Sequence, residues 1–303
     1  MSAASVTVRA PAKINLHLGV GRPREDGFHP LATVYQAVGL YDDVTATDAE
    51  EWSVHTIADA HLDLASVPDD GDNIAIRAGR LLAAHHSIAR AAHLEIHKGI
   101  PVAGGMAGGS ADAAATLVAL DRLWSLDTSD DDLLALAARL GSDVPFALLG
   151  GTALGAGRGE LVTPVEDRTA LWWVVVPHEI GLPTPLVYRR FDELASYDPA
   201  AGATNSYDVP AGLIDALAAG DVPGVAAALG NDLMRPAYDL RPDLAARHRD
   251  LATLGTVLLS GSGPTQLVLA ETAEAARRIA VELTERGLPH WLAPAPVAGC
   301  HVL

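Results

Sequence analysis

A glycine-rich segment in the first half of the chain reads Pro101-Val102-Ala103-Gly104-Gly105-Met106-Ala107-Gly108-Gly109-Ser110-Ala111. The alternating run from Ala92 to Ile100 before it predicts a strand, and the run from Ala111 to Trp124 has helical spacing. Glycines let backbone N–H groups approach a ligand, and a helix N-terminus adds about half a positive charge. The segment therefore predicts a phosphate site. The alternative is that the glycines only make a tight connection.

Two well-known phosphate motifs do not match this segment. Gly104 and Gly109 have the spacing of the Walker A motif, but Ser110 occupies the position of its lysine. No dinucleotide fingerprint of the form Gly-x-Gly-x-x-Gly opens a helix after a first strand either. The sequence thus indicates a phosphate loop of another class.

The composition is that of an acidic globular protein. Asp and Glu number 38 against 21 Lys and Arg, which leaves a formal charge of −17 over 303 residues. This charge argues against sequence-independent binding to nucleic acid, which needs cations on the phosphates. No apolar stretch approaches the roughly 18 residues of a membrane helix, and the N-terminus lacks a signal-peptide layout. Because Cys300 is single, no internal disulfide can form, and we expect a cytoplasmic location.

Strand and helix patterns alternate along the chain and predict an α+β fold. Alternation from Val6 to Val20 predicts a first strand. Helical spacing predicts a helix over Asn73–His85, with Asp72 as its N-cap, and another over Pro223–Met234. The other predicted strands lie at 31–38, 43–47, 171–176, 256–259, 265–269 and near His290. The other predicted helices lie at 130–140, 184 onward, 212–218, 242–254 and 273–286.

His93 and His97 stand four residues apart, which on a helix would place two metal ligands on one face. They alternate with Leu94 and Ile96, however, so a strand with one wet face fits better. The zinc-protease pattern also needs a glutamate directly after the first histidine, where Leu94 stands. We therefore do not expect a metal here.

A phosphoryl-transfer site also needs a cation and a group that orients the attacking hydroxyl. The chain has two lysines, Lys13 and Lys98, among many arginines. A lysine kept in such a chain suits a place where a compact ammonium is needed, although Lys13 also fits an ordinary strand-end residue. Asp143, at a predicted helix start, is the matching acid; its alternative function is to cap that helix. Paired, the two would keep each other charged.

Three segments together resemble the motifs of the GHMP kinase superfamily. They are Pro11–Leu16, Pro101–Ala111 as the ATP phosphate loop, and Leu259–Thr265, a glycine loop that closes over the site. The closing loop contains Gly261, Ser262 and Gly263. The resemblance implies a GHMP-kinase-like two-domain α+β fold. Residues 1–157 would form an N-terminal ATP-binding domain, and residues 158–303 a C-terminal ferredoxin-like substrate domain.

Within the superfamily, three further segments resemble the branch that phosphorylates the 2-hydroxyl of 4-diphosphocytidyl-2-C-methyl-D-erythritol. They are Arg24–Leu31, Leu140–Phe146 and Pro183–Tyr188. The resemblance implies an ATP-dependent kinase of non-mevalonate isoprenoid biosynthesis. Its partner would be this small cytidine diphosphate compound, and the resemblance implies no protein partner.

Carried over by position, the resemblance implies that Lys13 and Asp143 flank the substrate hydroxyl, with Asp143 accepting or orienting its proton. The remaining implied substrate contacts are Asn15, Phe28, His29, Thr184 and Tyr188. Two aromatic rings of this set, Phe28 and Tyr188, would sandwich cytosine, and the neutral His29 imidazole would bind its hydrogen-bonding edge. The chain departs from the family pattern at Phe28, usually tyrosine, and at Ala103 and Ala107, where some relatives have glycine.

The reaction implied by the resemblance needs ATP, and Mg²⁺ is expected because the phosphates need charge neutralisation during transfer. Ser110 is our candidate ligand for that ion, and its alternative function is to cap the helix that follows. Two other functions stay open. One is another small-molecule kinase of the superfamily, of the homoserine or mevalonate kinase type, which would not require Phe28, His29 and Tyr188. The other is a nucleotide-binding regulator without catalysis, which would not require Asp143.

Overall fold

The first predicted strand is confirmed and organises a large sheet. In the computed structural model, which describes residues 4–58, 62–197 and 207–303, this strand pairs antiparallel with the next along its whole length. The eight strands of the sheet are β1 (Ser5–Val20), β2 (Leu31–Ala49), β3 (Ser53–Ala58), β4 (Ala91–Lys98), β5 (Thr152–Ala156), β6 (Leu161–Pro164), β8 (Gly230–Asn231) and β12 (His301–Val302). The main path runs β12-β1-β2-β4-β3, with β5 on β2, β6 on β5 and β8 on β1.

A second sheet is antiparallel throughout and has four strands. They are β7 (Leu171–Val176), β9 (Val257–Leu259), β10 (Gln266–Ala270) and β11 (Trp291–Ala295), in the spatial order β11-β7-β10-β9. Helices separate β7 from β9 and β10 from β11, so the unit follows a β-α-β-β-α-β order. This arrangement agrees with the ferredoxin-like unit expected in the second half.

Ten helices are present in the described part of the chain. Those of the first half are α1 (Ile74–His85), α2 (Gly108–Trp124), α3 (Asp130–Leu140) and α4 (Val144–Leu149). Those of the second half are α5 (Thr184–Tyr197), α6 (Ala211–Ala219), α7 (Val222–Ala228), α8 (Met234–Leu240), α9 (Pro242–Leu251) and α10 (Ala273–Glu285). Among the described residues, no helix is both long and apolar enough to cross a membrane.

Helix α2 lies across the core and positions the glycine loop. It packs against β1, β2 and α1, and Ala113, Ala114 and Ala115 are fully buried. Small side chains let the helix approach the sheet closely, so a core with few aromatic residues still packs densely. The glycine loop is therefore fixed at the N-terminus of α2, a buried helix that packs on the first sheet.

Three local predictions need correction. Asn73, not Asp72, caps α1, because its Oδ1 accepts the N–H of Ala75. The predicted helix 223–234 ends at Ala228, because the chain then pairs as β8 with β1. Helix α2 begins at Gly108 rather than at Ala111, so Ser110 lies inside its first turn and is not its cap.

The division between residues 1–157 and 158–303 stays a prediction. The first sheet takes strands from both sides of it, since β6, β8 and β12 all follow residue 157. The chain thus returns twice from its second half to β1.

Candidate active site

Two cavities lie on either side of the glycine loop and meet at it. The larger, of about 710 Å³, is lined by residues of β1, α5 and the loops at 27–29, 142–143 and 261–262. The smaller, of about 410 Å³, follows the glycine loop and the segment 66–74. Gly105 and Ala107 line both cavities. The two cavities are therefore adjacent at these two residues.

The glycine loop leaves no room for a side chain at Gly104 or Gly105. A Cβ on Gly105 would lie 2.3 Å from the carbonyl oxygen of Ser260, and one on Gly104 would lie 2.7 Å from Thr265 Oγ1. Ala103 and Ala107 adopt left-handed backbone conformations, with φ of 54° and 59°. These are the two positions where alanine replaces glycine, and such a conformation costs a non-glycine residue about 1–2 kcal/mol.

Helix α2 begins directly from this loop without a side-chain cap, since its N-cap is Ala107. The N–H groups of its first turn have no partner within the helix, which suits an anion. Most of the loop predicted to bind ATP lines the smaller cavity: Pro101, Val102, Ala103, Gly104, Gly105, Ala107, Gly108 and Gly109. Three predicted residues do not line it, namely Met106, Ser110 and Ala111. The carbonyl of Met106 instead accepts the N–H of Lys13 and ties the loop to β1.

The predicted catalytic pair comes together at the wall of the larger cavity. Lys13 Nζ lies 3.4 Å from Asp143 Oδ2 and donates to Asn15 Oδ1 at 2.9 Å. Asn15 in turn donates from Nδ2 to Thr33 Oγ1, which fixes the orientation of its amide. Asp143 precedes α4, but its side chain does not cap that helix. The carboxylate is therefore available to a ligand.

Tyr35 joins this pair and was missed by sequence reasoning. Lys13 Nζ lies 5.4 Å from the centre of its ring, and the ring stacks on Phe146 with centroids 4.9 Å apart. Burial, and then the Asp143 carboxylate that its hydroxyl faces, raise the pKa of Tyr35 well above its usual value. The hydroxyl is therefore a neutral donor beside Asp143. No local pattern predicted this, because the pairing of Tyr35 with Asn15 depends on strand register.

The five predicted substrate residues, Asn15, Phe28, His29, Thr184 and Tyr188, all line the larger cavity. The imidazole of His29 and the ring of Tyr188 lie 5.0 Å apart and are tilted by 43°. Phe28 is 51% exposed at the mouth, and the Arg158 guanidinium lies 5.0 Å from its ring centre. Burial and the nearby Asp143 charge raise the pKa of Tyr188. Sequence reasoning missed Arg158, which lies between Gly157 and Gly159.

The third glycine loop closes the larger cavity opposite β1. Gly261 and Ser262 line the cavity, whereas Gly263 does not. Ser262 Oγ lies 2.7 Å from Thr184 Oγ1, which joins the loop to α5. Asn231 holds the loop from behind, because its Nδ2 donates to the carbonyls of Leu259 and Gly261 at 2.9 and 2.7 Å. Sequence reasoning missed Asn231 because it lies within the run expected to be helical.

The second lysine lies beneath the phosphate loop. Lys98 Nζ donates to Asp42 Oδ2 and, at 2.7 Å, to Asp112 Oδ2. Asp42 Oδ1 also accepts the N–H groups of Gly99 and Ile100. A Cβ on Gly108 would lie 3.1 Å from the ammonium, so this glycine lets α2 lie directly on Lys98. Asp42, Lys98 and Asp112 form a buried cluster, which we call the Lys98 cluster.

The chain is similar to known proteins. A family model described as GHMP kinases N terminal domain matches residues 73–151. The chain is 61% identical over 300 residues to a 4-diphosphocytidyl-2-C-methyl-D-erythritol kinase of Nocardioides sp., covering 98% of this chain and 99% of the relative. A second such kinase, from Kineococcus radiotolerans, is 49% identical and covers 92% of this chain and 86% of the relative.

Solved structures agree with these matches. A crystal structure of 4-(cytidine 5'-diphospho)-2C-methyl-D-erythritol kinase has a TM-score of 0.76 at 32% identity, covering 96% of this chain and 100% of the other. A mevalonate kinase of L. major reaches the same TM-score at 16% identity over 96% of each chain, and therefore shows the fold alone. The identities of 61% and 49% extend over nearly the whole chain, and both relatives are 4-diphosphocytidyl-2-C-methyl-D-erythritol kinases. The chain therefore belongs to the 4-diphosphocytidyl-2-C-methyl-D-erythritol kinase family of the GHMP kinases.

Proposed function

We propose that this protein transfers the γ-phosphoryl group of ATP to the 2-hydroxyl of 4-diphosphocytidyl-2-C-methyl-D-erythritol, in non-mevalonate isoprenoid biosynthesis. One observation carries the proposal. A cavity along a glycine loop and a cavity with an aromatic end meet at Gly105 and Ala107, beside the Lys13–Asp143 pair. Membership in the kinase family supports the use of ATP. The single Cys300 supports a reducing compartment, the cytoplasm.

In this proposal the triphosphate of ATP lies along the glycine loop in the smaller cavity. The unpaired N–H groups at the start of α2 would bind the phosphate oxygens, and their fixed orientation would avoid reorganisation during transfer. The γ-phosphate would then face Gly105 and Ala107, where the larger cavity begins. This geometry supports direct, in-line transfer between the two cavities.

Lys13 and Asp143 would then act on the two reacting groups. The Lys13 ammonium would stabilise charge on the transferred phosphoryl group, and Asp143 would accept a hydrogen bond, and finally the proton, from the 2-hydroxyl. Asn15 holds Lys13 by a 2.9 Å hydrogen bond and would direct its ammonium towards the substrate. The Tyr35 hydroxyl would donate a hydrogen bond to the Asp143 carboxylate and fix its orientation. These assignments fit a pair that is close at 3.4 Å yet open to the cavity.

The aromatic end of the larger cavity would bind the cytidine. Phe28 and Tyr188 are the two rings that would stack on the base, and such stacking contributes about 1–3 kcal/mol per base in nucleic-acid systems. Arg158 lies over the Phe28 ring and lines the same cavity, so its guanidinium would neutralise the substrate diphosphate. Thr184 and Ser262, joined by a 2.7 Å hydrogen bond, would close the site from α5 and the third glycine loop.

Mg²⁺ is part of the proposal, with Ser110 as its protein ligand. Ser110 is partly exposed in the first turn of α2, and its hydroxyl makes no hydrogen bond within the described part of the chain. The preceding residue, Gly109, lines the smaller cavity, whereas Ser110 itself does not. A hydroxyl oxygen is the hard kind of ligand that Mg²⁺ prefers, so Ser110 fits by its chemistry and lies one residue from the cavity wall. Phosphates and water would complete the coordination, and the ion would neutralise phosphate charge during transfer.

A substrate panel tests the proposed function. The purified protein receives ATP and Mg²⁺ with 4-diphosphocytidyl-2-C-methyl-D-erythritol, homoserine or mevalonate, and ADP release is followed. We expect turnover of the cytidine compound alone. Turnover of homoserine or mevalonate instead would favour the other kinase type. ATP binding without ADP release from any alcohol would favour a regulator.

A single substitution tests the base-binding end. Tyr188→Ala should raise the KM for the cytidine substrate by about 5–150-fold, the equivalent of 1–3 kcal/mol of stacking, and leave the KM for ATP nearly unchanged. Tyr188→Phe is the matched control, because it keeps the ring and should stay within a few-fold of the wild type. Equal changes in both KM values for Tyr188→Ala would contradict a stacking function.

A further inference from the structure

Deep in the base-binding end of the larger cavity, His29 makes one polar contact that the reaction does not explain. Its imidazole is buried beside the rings of Tyr188, at 5.0 Å, and Phe191, at 6.0 Å. Its Nε2 lies 2.9 Å from Asp192 Oδ1. The opposite ring nitrogen, Nδ1, makes no hydrogen bond with any described residue. His29 and Asp192 both line the cavity.

We propose that Asp192 sets the base specificity of the enzyme, because it holds His29 in the tautomer that recognises an amino-pyrimidine. The proposal rests on the proposed function, since it assumes that the base of the substrate binds at His29. Asp192 touches His29 and is not assigned a contact with the substrate, so it is a positioning residue.

The chemistry of the pair fixes the proton. An ionised carboxylate can only accept hydrogen bonds, so Nε2 of a neutral His29 must carry the hydrogen and donate it to Asp192. Nδ1 is then left as an acceptor. Cytosine presents an amino donor at N4, whereas uracil presents a carbonyl acceptor at the corresponding O4. An Nδ1 acceptor therefore pairs with cytosine and faces a second acceptor in uracil.

Helix α5 contributes both the ring and the carboxylate that lie next to His29. Tyr188 and Asp192 are four residues apart on α5, so both project from the same face of the helix towards His29. The side chain of Asp192 is 42% exposed, and His29 is its one polar partner among the described residues. A carboxylate so exposed contributes little to the stability of the fold. Its orientation towards a buried imidazole is better explained by an effect on the ligand.

Nucleotide binding tests the proposal independently of turnover. The Kd values of CDP and UDP are measured by calorimetry at pH 8, where an ordinary imidazole is neutral. We expect the wild type to prefer CDP by about 5–150-fold, the range for a good base-edge contact. Asp192→Asn should reduce this preference by at least about fivefold, because an amide can donate to Nε2 as well as accept from it. Asp192→Glu should retain a preference for CDP.

Glu193→Gln is the matched control, since Glu193 is the next residue of α5, makes an exposed pair with Arg190 and does not line the cavity. It should leave the preference unchanged. An Asp192→Asn protein with the same ratio of CDP to UDP affinity as the wild type would overturn the proposal, as would a wild type that binds both nucleotides equally. Failure of the kinase reaction with a retained, Asp192-dependent preference for CDP would contradict the proposed function alone.

Nitrogen NMR of the free protein provides a second measurement. Its result would not change on substitution of Asp192 if this residue had only a structural function. With ¹⁵N-labelled histidine, and with the His29 signals assigned from a His29→Gln variant, Nε2 should carry the proton in the wild type. In Asp192→Asn the two tautomers should mix. A wild type with the proton on Nδ1 would overturn the proposal.

Discussion

The two lysines of the chain both face aspartates, yet they lie in opposite surroundings. Lys13 Nζ lies 3.4 Å from a single carboxylate, and the side chains of Lys13 and Asp143 are 9% and 29% exposed. Lys98 donates to two carboxylates, and the side chains of Lys98, Asp42 and Asp112 are 3%, 0% and 5% exposed. The same residue types thus form an open pair at the larger cavity and the almost fully buried Lys98 cluster beneath the phosphate loop, at the wall of the smaller cavity.

The difference shows that a Lys–Asp pair can bind a ligand only where its charged groups still have unused hydrogen-bonding capacity. At Lys13 the contact is long and solvent reaches the carboxylate, so both charges can still bind a ligand. In the Lys98 cluster, burial and the neighbouring Asp112 raise the pKa of Asp42 well above its usual value. Burial alone would lower the pKa of Lys98, but Asp112 and Asp42 outweigh it and raise that pKa. The two carboxylates therefore hold the Lys98 ammonium in its charged form and accept two of its three N–H donors.

The largest expected effect is a difference in the free energy of unfolding between variants of the two lysines. Lys98→Met should lower the free energy of unfolding by about 3–5 kcal/mol, because it leaves two carboxylates buried without their cation. Lys13→Met is the matched control and should lower the free energy of unfolding by only about 1–2 kcal/mol, because solvent reaches Asp143 and the main loss is the donor to the buried Asn15 Oδ1. Urea unfolding of both variants measures this difference. Equal losses would mean that the two sites do not differ in kind.

The second prediction concerns the activity that depends on the open Lys13–Asp143 pair. Asp143→Asn should lower kcat by at least about 100-fold, in the range of general-base losses, and leave ATP affinity nearly unchanged. Its free energy of unfolding should stay within about 1 kcal/mol of the wild type. Asp239→Asn, in an exposed pair with Arg190, is the control and should keep full activity. A kcat of Asp143→Asn within tenfold of the wild type would show that another group accepts the proton.

Much of the fold could be predicted because local patterns agreed with tertiary contacts. The strand predicted from the alternation of β1 and the bounds predicted for α3, 130–140, were both correct. The run 223–234 failed because pairing of Gly230 with His17 overrides its helical propensity. Asp72 and Asn73 are equally good cap residues, and only the observed turn of the chain decides between them.

The candidate site was predictable to the extent that single residue types stood out. Lys13 could be proposed because lysine is scarce, and Asp143 because its segment resembles a known motif. Lys98 is just as scarce, but its depth of burial and its partners from β2 and α2 depend on packing that no local pattern encodes. Tyr35 and Asn231 were missed for the same reason, since strand register and a long-range strand pair bring them to the site.

A third prediction tests the contribution of the Tyr35 hydroxyl to the Lys13–Asp143 site. Tyr35→Phe should lower kcat by about 2–10-fold, the equivalent of a net hydrogen bond of 0.5–1.5 kcal/mol, because Asp143 loses a neutral donor. The ring should keep its stacking on Phe146, so the fold should be retained. Tyr41→Phe makes the same change six residues further along β2, near Arg9, and should leave kcat unchanged. An unchanged kcat for Tyr35→Phe would remove the hydroxyl from the mechanism.

The smallest expected effect lies inside the Lys98 cluster, where the two carboxylates are not equivalent. Asp42 accepts from Lys98 and from two backbone N–H groups, whereas Asp112 Oδ1 is buried and has no hydrogen-bond partner among the residues that the structure describes. Asp112→Asn removes the surplus negative charge and keeps an oxygen for Lys98, so repulsion is relieved while the two N–H donors of the new amide are left without an acceptor. We expect these terms to cancel to within about 1 kcal/mol in the free energy of unfolding, measured without nucleotide or metal.

Asp42→Asn should cost more than about 2 kcal/mol, because its single remaining acceptor oxygen cannot serve both Lys98 and the N–H groups of Gly99 and Ile100. If the two variants instead lost equal stability, the ammonium would be shared evenly between the carboxylates. The Lys98 cluster would then act as a symmetric clamp between β2 and α2. A small loss for Asp112→Asn alone would show that Asp42 anchors the lysine and that Asp112 chiefly adds charge beneath the phosphate loop.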